Sequence, residues 1–258
     1  AFCASAFGIT HTAVFVQNNA QIEALNFGNP NLGEETSDTF TIGFAFKPTF
    51  APSLQFSVDY WNIKVDDYIK DLLGGAQGII DACFATADLN SSACFSDLLG
   101  QPLVFRDVSG DLRVNVPQVN ASELKTSGID LQVDYAIPLG WAGREDDTIG
   151  VNLLVSQLQE YELDGIDYSG TIGAYNIQGA FPEWKANLRL SYAVGPVRLA
   201  WNTQFIDAMD NQGNIPAFDD GGYVGSDSFF YHDLSASWQA TGAVGLSLGN
   251  RTLTDGAP

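Results

Sequence analysis

Residues 184–205 read WKANLRLSYAVGPVRLAWNTQF. Two runs of alternating polarity flank a Gly-Pro turn. In the first, Trp184, Ala186, Leu188, Leu190 and Tyr192 share one face, and Lys185, Asn187, Arg189 and Ser191 take the other. In the second, Val197, Leu199, Trp201 and Phe205 oppose Arg198, Asn202 and Gln204. A period of two marks β-strands that bury one face. A two-residue turn at Gly195-Pro196 pairs Val194 with Val197, hence Tyr192 with Leu199 and Leu190 with Trp201. Apolar meets apolar although the numbers differ in parity. The stretch predicts an antiparallel hairpin with one apolar and one polar face.

The same pattern extends in both directions. Upstream, Phe40, Ile42, Phe44 and Phe46 oppose Thr39, Thr41, Gly43 and Ala45, and Leu54, Phe56, Val58 and Tyr60 oppose Gln55, Ser57 and Asp59. The phase slips at Trp61, Ile63 and Val65, as a bulge would cause. Ile129, Leu131, Val133, Tyr135 and Ile137 then oppose Asp130, Gln132 and Asp134, and Ile149, Val151, Leu153 and Val155 oppose Gly150, Asn152 and Ser156. Downstream come Phe230, Leu234, Ala236 and Trp238, then Val244, Leu246 and Leu248. A three-residue loop at Ala240–Gly242 would pair Gln239 with Ala243 and Trp238 with Val244, with Gly242 left-handed. The count is about eight strands, each of the roughly 9–11 residues that a tilted membrane-spanning strand needs.

The links decide between architectures. Short ones at Lys47–Ser53, Pro138–Asp147, Gly195-Pro196 and Ala240–Gly242 alternate with long ones at Asp67–Ser122, Gln159–Pro182 and Asp207–Ser228. Outer-membrane barrels alternate in this way, with tight periplasmic turns and long extracellular loops, whereas sandwiches do not. Aromatic residues gather toward strand ends (Phe46, Tyr60, Trp61, Tyr135, Trp141, Trp184, Tyr192, Phe205, Phe230 and Trp238), as the lipid–water girdles of a barrel require. The fold class is therefore all-β, an antiparallel up-and-down transmembrane β-barrel segment.

Composition agrees. The 258 residues hold 31 Asp+Glu against 11 Lys+Arg, a net charge of −20, which repels nucleic acid. A mean hydropathy of +0.01 suits a barrel, because only alternate residues face lipid. No apolar run approaches the 18 or more residues of a membrane helix. The opening AFCASAFGIT has neither an initiator Met nor a basic leader, so any export signal is expected upstream. There is no G-x-S-x-G elbow, H-E-x-x-H, Walker loop or dinucleotide fingerprint, and Asp66-Asp67 are adjacent rather than facing, so the chain does not read as an enzyme. No cofactor and no metal ligand set is expected.

Several segments carry a family resemblance: NPNLGEETSDTFTIGFAF (29–46), VDYWNIKVDDYI (58–69), TSGIDLQVDY (126–135), PEWKANLRLSY (182–192) and YHDLSASW (231–238). Taken in order and spacing, they resemble the C-terminal barrel region of TonB-dependent outer-membrane receptors. The ending LGNRTLTDGAP is a degraded form of the family's pattern there, and the plug and final strand are expected to lie outside this chain. The resemblance implies a place in a larger barrel of about 22 strands. Residues 1–35 would be an extracellular loop and strand lead-in, 36–250 about eight barrel strands, and 251–258 the start of a loop. It also implies a Gram-negative outer-membrane location and energised uptake of a scarce solute such as a siderophore, oligosaccharide or vitamin. The expected partners are that solute, outer-membrane lipid, and the TonB complex acting through the plug. The alternative reading is a soluble β-rich carbohydrate-binding module.

The resemblance also bears on the cysteines, since similar loops in the family carry a comparable pair. Cys83 and Cys94 are expected to form a disulfide worth roughly 3 kcal/mol, against the alternative of two free thiols. Cys3 is left over. Acidic residues collect in two links: Asp207, Asp210, Asp219, Asp220 and Asp227 in one, Glu160, Glu162, Asp164 and Asp167 in the other. They read as solvated surface rather than a Ca²⁺ site, because their spacing matches no calcium loop. His11 and His232 look isolated. The lumen-facing candidates are Asp59, Asp130, Asp134, Arg189, Arg198, Asn202 and Gln204, expected to meet water, the plug or the passing solute.

Overall fold

The computed structural model describes residues 22–88, 90–96, 100–120, 123–140, 147–172, 179–211 and 225–253, the last three by backbone alone. Contacts divide the described residues into two compact units, one made of those within 22–36 and 65–123, the other of those within 37–64, 124–172 and 179–253.

The second unit is a meander. Its strands are β1 (Thr36–Phe46), β2 (Leu54–Asp66), β3 (Glu123–Pro138), β4 (Thr148–Leu163), β5 (Trp184–Val194), β6 (Val197–Ile206), β7 (Phe229–Gln239) and β8 (Gly245–Leu253). They neighbour one another in chain order, and the registers from β3 to β8 are all antiparallel. Short links make sequential pairing the cheapest arrangement, because loop closure costs least between neighbours. The Gly195-Pro196 turn has the expected register, Val194 with Val197 and Leu190 with Trp201. Gly195 supplies the positive φ of 51° that a tight hairpin turn needs at its first central position.

Alternation leaves one face of this sheet apolar and uncovered. Phe40, Ile42 and Phe44 on β1 are 58%, 61% and 58% exposed, and Leu246 and Leu248 on β8 are 59% and 79% exposed. A soluble sandwich would bury these side chains, since soluble monomers rarely present large contiguous apolar patches. Among the described residues no helix is long and apolar enough to cross a membrane.

Three local expectations need correction. The last hairpin pairs Gln239 with Gly245 and Trp238 with Leu246, so its loop spans 240–244. Thr241 Oγ1 accepts from the Ala243 and Val244 amides and draws these residues into the turn, while Gly242 has no left-handed φ. The shift of two preserves both faces. At Trp61 there is no return to the apolar face. Gly43 lies beside Asp59, and Trp61, two residues on, lies against Gly128 of the polar side, so the apparent slip is an indole on the polar face. Finally, β4 runs on to Leu163 and turns at Asp164-Gly165 (φ 53° and 80°) into the short strand Ile166–Asp167. Positive φ at both central residues is the hairpin preference of Asp-Gly.

The first unit turns most of the expected long loop into folded structure. Ile69–Asp71 and Val104–Arg106 pair with Leu112–Asn120, and the lead-in strand Glu23–Phe27 joins the same strand in parallel. Helix α1 (Ala76–Thr86) covers them with Ile79, Ile80 and Cys83, a face at helical spacing. Gly78 permits this, since a Cβ there would collide with the Leu73 carbonyl. Ile79, Cys83, Cys94, Leu103, Val114 and Val116 are at most 1% exposed and form the core. Cys83 and Cys94 are joined by a disulfide, with Cα atoms 4.7 Å apart.

The Asn-Pro-Asn-Leu-Gly segment serves this unit as a clasp. Asn29 Nδ2 donates to Gln118 O at 3.0 Å, and Gly33 N donates to Asn120 Oδ1 at 2.8 Å. Asn120 Nδ2 reaches both Gly33 O (3.3 Å) and Asp67 O (2.6 Å), and Ile69 N donates to Glu35 Oε1 (2.6 Å). The segment leading into β1, the chain leaving β2 and the chain approaching β3 are thus tied together.

Candidate functional site

The polar face of the meander carries the candidate site. Antiparallel registers place Asp134, Asn152, Arg189, Asn202, Asp233 and Arg251 side by side across β3 to β8. Each residue sits opposite the next in register, and from Asp134 to Asp233 neighbours are within reach for cross-strand pairing. Asp134 accepts from Asn152 Nδ2 at 2.5 Å and from Gln132 Nε2 at 2.7 Å, which fixes its carboxylate. The adjoining register row consists of Ala136, Gly150, Ser191, Ala200, Ser235 and Gly249. These small side chains leave room beside the charged row. A cleft of about 370 Å³ opens there, lined by Ser53, Gln55, Asp134, Asn152, Arg189 and Ser191 among others. It presents an anion, a cation, amides and hydroxyls to one volume, a surface suited to hydrogen-bonding a polar solute or another polypeptide.

The sequence-derived candidates divide accordingly. Asp134, Arg189 and Asn202 come together in this row. Asp130 lies further along β3, accepts from Ser156 Oγ and shares a row with Lys185. Gln204 belongs to a neighbouring row with Asn187 and Tyr231. Arg198 lies near the Gly195-Pro196 turn, opposite Ala193 and Ser237. Asp59 stands on β2 beside Gly43, where a Cβ would collide with its carboxylate. Asp233 and Asn152 extend the row, which ends at the register position of Arg251. Both sat in the alternating pattern, but only the registers show that they align with Arg189.

His232 is not isolated. On the apolar face it lies across from Thr203, with Thr203 Oγ1 2.8 Å from its Nδ1 and the Trp201 ring 5.6 Å away. Two polar groups that satisfy each other cost far less in an apolar setting than either alone. Among the described residues no group of three or more His, Cys, Asp or Glu could hold a metal ion. The acids of this stretch are engaged locally instead: Asp167, after β4, accepts from the Tyr161 and Ser169 amides, and Glu162, within β4, pairs with the Lys125 side chain at 3.0 Å. Tyr168, 1% exposed in the same link, has its pKa raised above 10.0, first by burial and then by the Asp164 charge. Cys3, His11, Trp141, Asp219 and Asp220 lie outside the described residues.

Comparison with known proteins adds the family. A family model described as TonB dependent receptor-like, beta-barrel, matches residues 6–251. No curated protein matches the chain. Among solved structures, a point mutant of the ferric enterobactin receptor of Pseudomonas aeruginosa, in complex with enterobactin, is similar over 90% of this chain and 28% of its own, at 13% identity and a TM-score of 0.52. The FrpB iron transporter of Neisseria meningitidis is similar over 88% of this chain and 28% of its own, at 13% identity and a TM-score of 0.51. At such identity the likeness is one of fold, and the chain spans 28% of the length of each of these two structures.

Proposed function

The chain belongs to the TonB dependent receptor-like β-barrel family, whose members are outer-membrane receptors and transporters rather than enzymes, and from that premise we propose that it forms part of the wall of a receptor for energised, TonB-coupled uptake of a scarce solute such as a siderophore, oligosaccharide or vitamin. The observation that carries the reading is the division of one eight-strand meander into an uncovered apolar face and a polar face crossed by the Asp134–Arg251 row. Lipid satisfies the first face and water the second. In this reading Asp59, Asp130, Asp134, Arg189, Arg198, Asn202 and Gln204 line the lumen, the short turns face the periplasm, and the long links, including the disulfide-bonded 67–122 segment, face the exterior. Residues 36–253 supply about eight barrel strands, since β8 runs on to Leu253, with 1–35 as extracellular lead-in and only the residues after 253 as the start of a further loop. The partners are the solute, outer-membrane lipid and the TonB complex acting through a plug domain.

The test is a strain lacking the full-length gene, grown on single carbon and single iron sources. Growth lost on one source, restored by the wild-type gene and dependent on TonB, is the expected result. Full growth on every source, or a full-length protein that leaves the cell envelope without detergent, would refute it.

A further inference from the structure

Where β2 and β4 run toward the long links, the polar face carries an aromatic cleft of about 310 Å³. Trp61, Tyr161 and Phe181 line it together with Thr126, Ser156 and Lys185. The rings are held in place. Trp61 lies against Gly128, where a Cβ would come within 2.6 Å of the indole. Tyr161 and Phe181 pack at 4.3 Å between centroids. Phe181 is fixed by its backbone, which pairs with Thr171 and accepts from Gly170 N at 2.8 Å, and its ring covers Gly179. These aromatic residues are on the wrong face to serve as a lipid girdle.

We propose that this cleft binds one neutral sugar ring of an oligosaccharide, stacked on the aromatic platform. This rests on the uptake reading above and names its substrate class. The π-faces of the rings carry partial negative charge and attract the polarised C–H groups on the face of a pyranose. The hydroxyls at its edge meet Thr126, Ser156 and Lys185. At about 310 Å³ the cleft is at the small end of ligand pockets, which run from roughly 300 to 1,000 Å³, so it suits a single ring. Lys185 is the one charged side chain among the lining residues, and the others are aromatic, apolar or uncharged polar groups, the lining that a neutral sugar ring uses. The platform is set by glycines and backbone pairing before any ligand arrives, which spares the cost of ordering it on binding.

The experiment titrates the purified full-length receptor in detergent with a panel of neutral gluco-, xylo-, manno- and galacto-oligosaccharides, and with 2,3-dihydroxybenzoate as an anionic aromatic probe. At least one oligosaccharide is expected to bind and to shift the tryptophan fluorescence. Trp61→Ala and Tyr161→Ala should each weaken it by about tenfold or more, the factor equivalent to 1.4 kcal/mol. Trp61→Phe should recover part of the affinity and lose the fluorescence change, while Lys185→Met has the smaller effect. Binding of no oligosaccharide, binding unchanged in a Trp61→Ala receptor that folds as wild type does, or binding of the aryl acid alone would each overturn the proposal. If the full-length receptor still imports an iron chelate in a TonB-dependent way under any of these outcomes, the uptake reading stands and only the sugar assignment falls.

Discussion

Asn120 shows how much one side chain can organise. Its amide accepts from Gly33 N and donates to two carbonyls, those of Gly33 and Asp67, so three segments far apart in sequence meet at one residue. Each such bond is worth on the order of 1 kcal/mol net, less where water competes. Asn120→Ala is therefore expected to cost roughly 1–2 kcal/mol of local stability and to speed hydrogen exchange at Gly33, while the amides of β5 and β6 keep their protection. Equal loss of protection in both places would show that the clasp is not local. Tyr168 gives a pH test. Its folded-state pKa is raised, so the neutral phenol is the form the fold favours. The stability it contributes is fully present below the ordinary tyrosine value of 10.0 and is lost as pH rises through the higher folded value. Phenolate absorbance should show a step above the ordinary tyrosine value of 10.0, and Tyr168→Phe should remove that step. An alkaline titration identical in the variant would contradict the burial.

At the scale of the strand, what counts is which way alternate residues point. Leu190 and Ser191 are neighbours on β5, yet one pairs with Val151 and Trp201 and the other with Gly150 and Ala200. Leu190→Arg should cost on the order of 2–4 kcal/mol of folding free energy if it lies near the bilayer midplane, whereas Ser191→Arg should cost little. Folding yield of the full-length protein into lipid vesicles measures both, and equal effects would reverse the face assignment. The link after β2 is another lesson at this scale. Its residues do not alternate, so they read as loop, but Ile79, Ile80 and Cys83 fall on one side of a helix and close a small core.

The molecule as a whole combines two different stabilising devices. In the meander, backbone pairing is internal to the sheet and the apolar face is left uncovered. In the 65–123 unit, a soluble-type core is stapled by a disulfide of separation 11. Cys83→Ser should cost the small unit about 3 kcal/mol and make it sensitive to protease, without altering folding of the strands in vesicles. Protease resistance unchanged by the substitution would show that the bridge adds nothing. Among the described residues β1 and β8 each pair on one side only. Unpaired backbone is costly in lipid, several kcal/mol per group. Vesicles containing only residues 1–258 are accordingly expected to show no solute flux, and measured flux would mean that the two edges find each other.

Alternation, the Gly-Pro turn and the rhythm of short and long links by themselves determined the meander, the partition of its faces and the register of β5 against β6, because side-chain period and tight-turn geometry are local properties of the chain. The disulfide was legible only through a family likeness. What only the tertiary structure decided is everything that depends on register between strands distant in sequence. Asp134 and Asp233 fall on one row with Arg189, and Trp61 lies against Gly128 with Tyr161 and Phe181 beside it. A period of two tells which face a residue takes. It carries no information about which residue on another strand lies alongside, since that depends on turn lengths, on the shift between Leu158 and Glu160, and on where small side chains leave room for large ones.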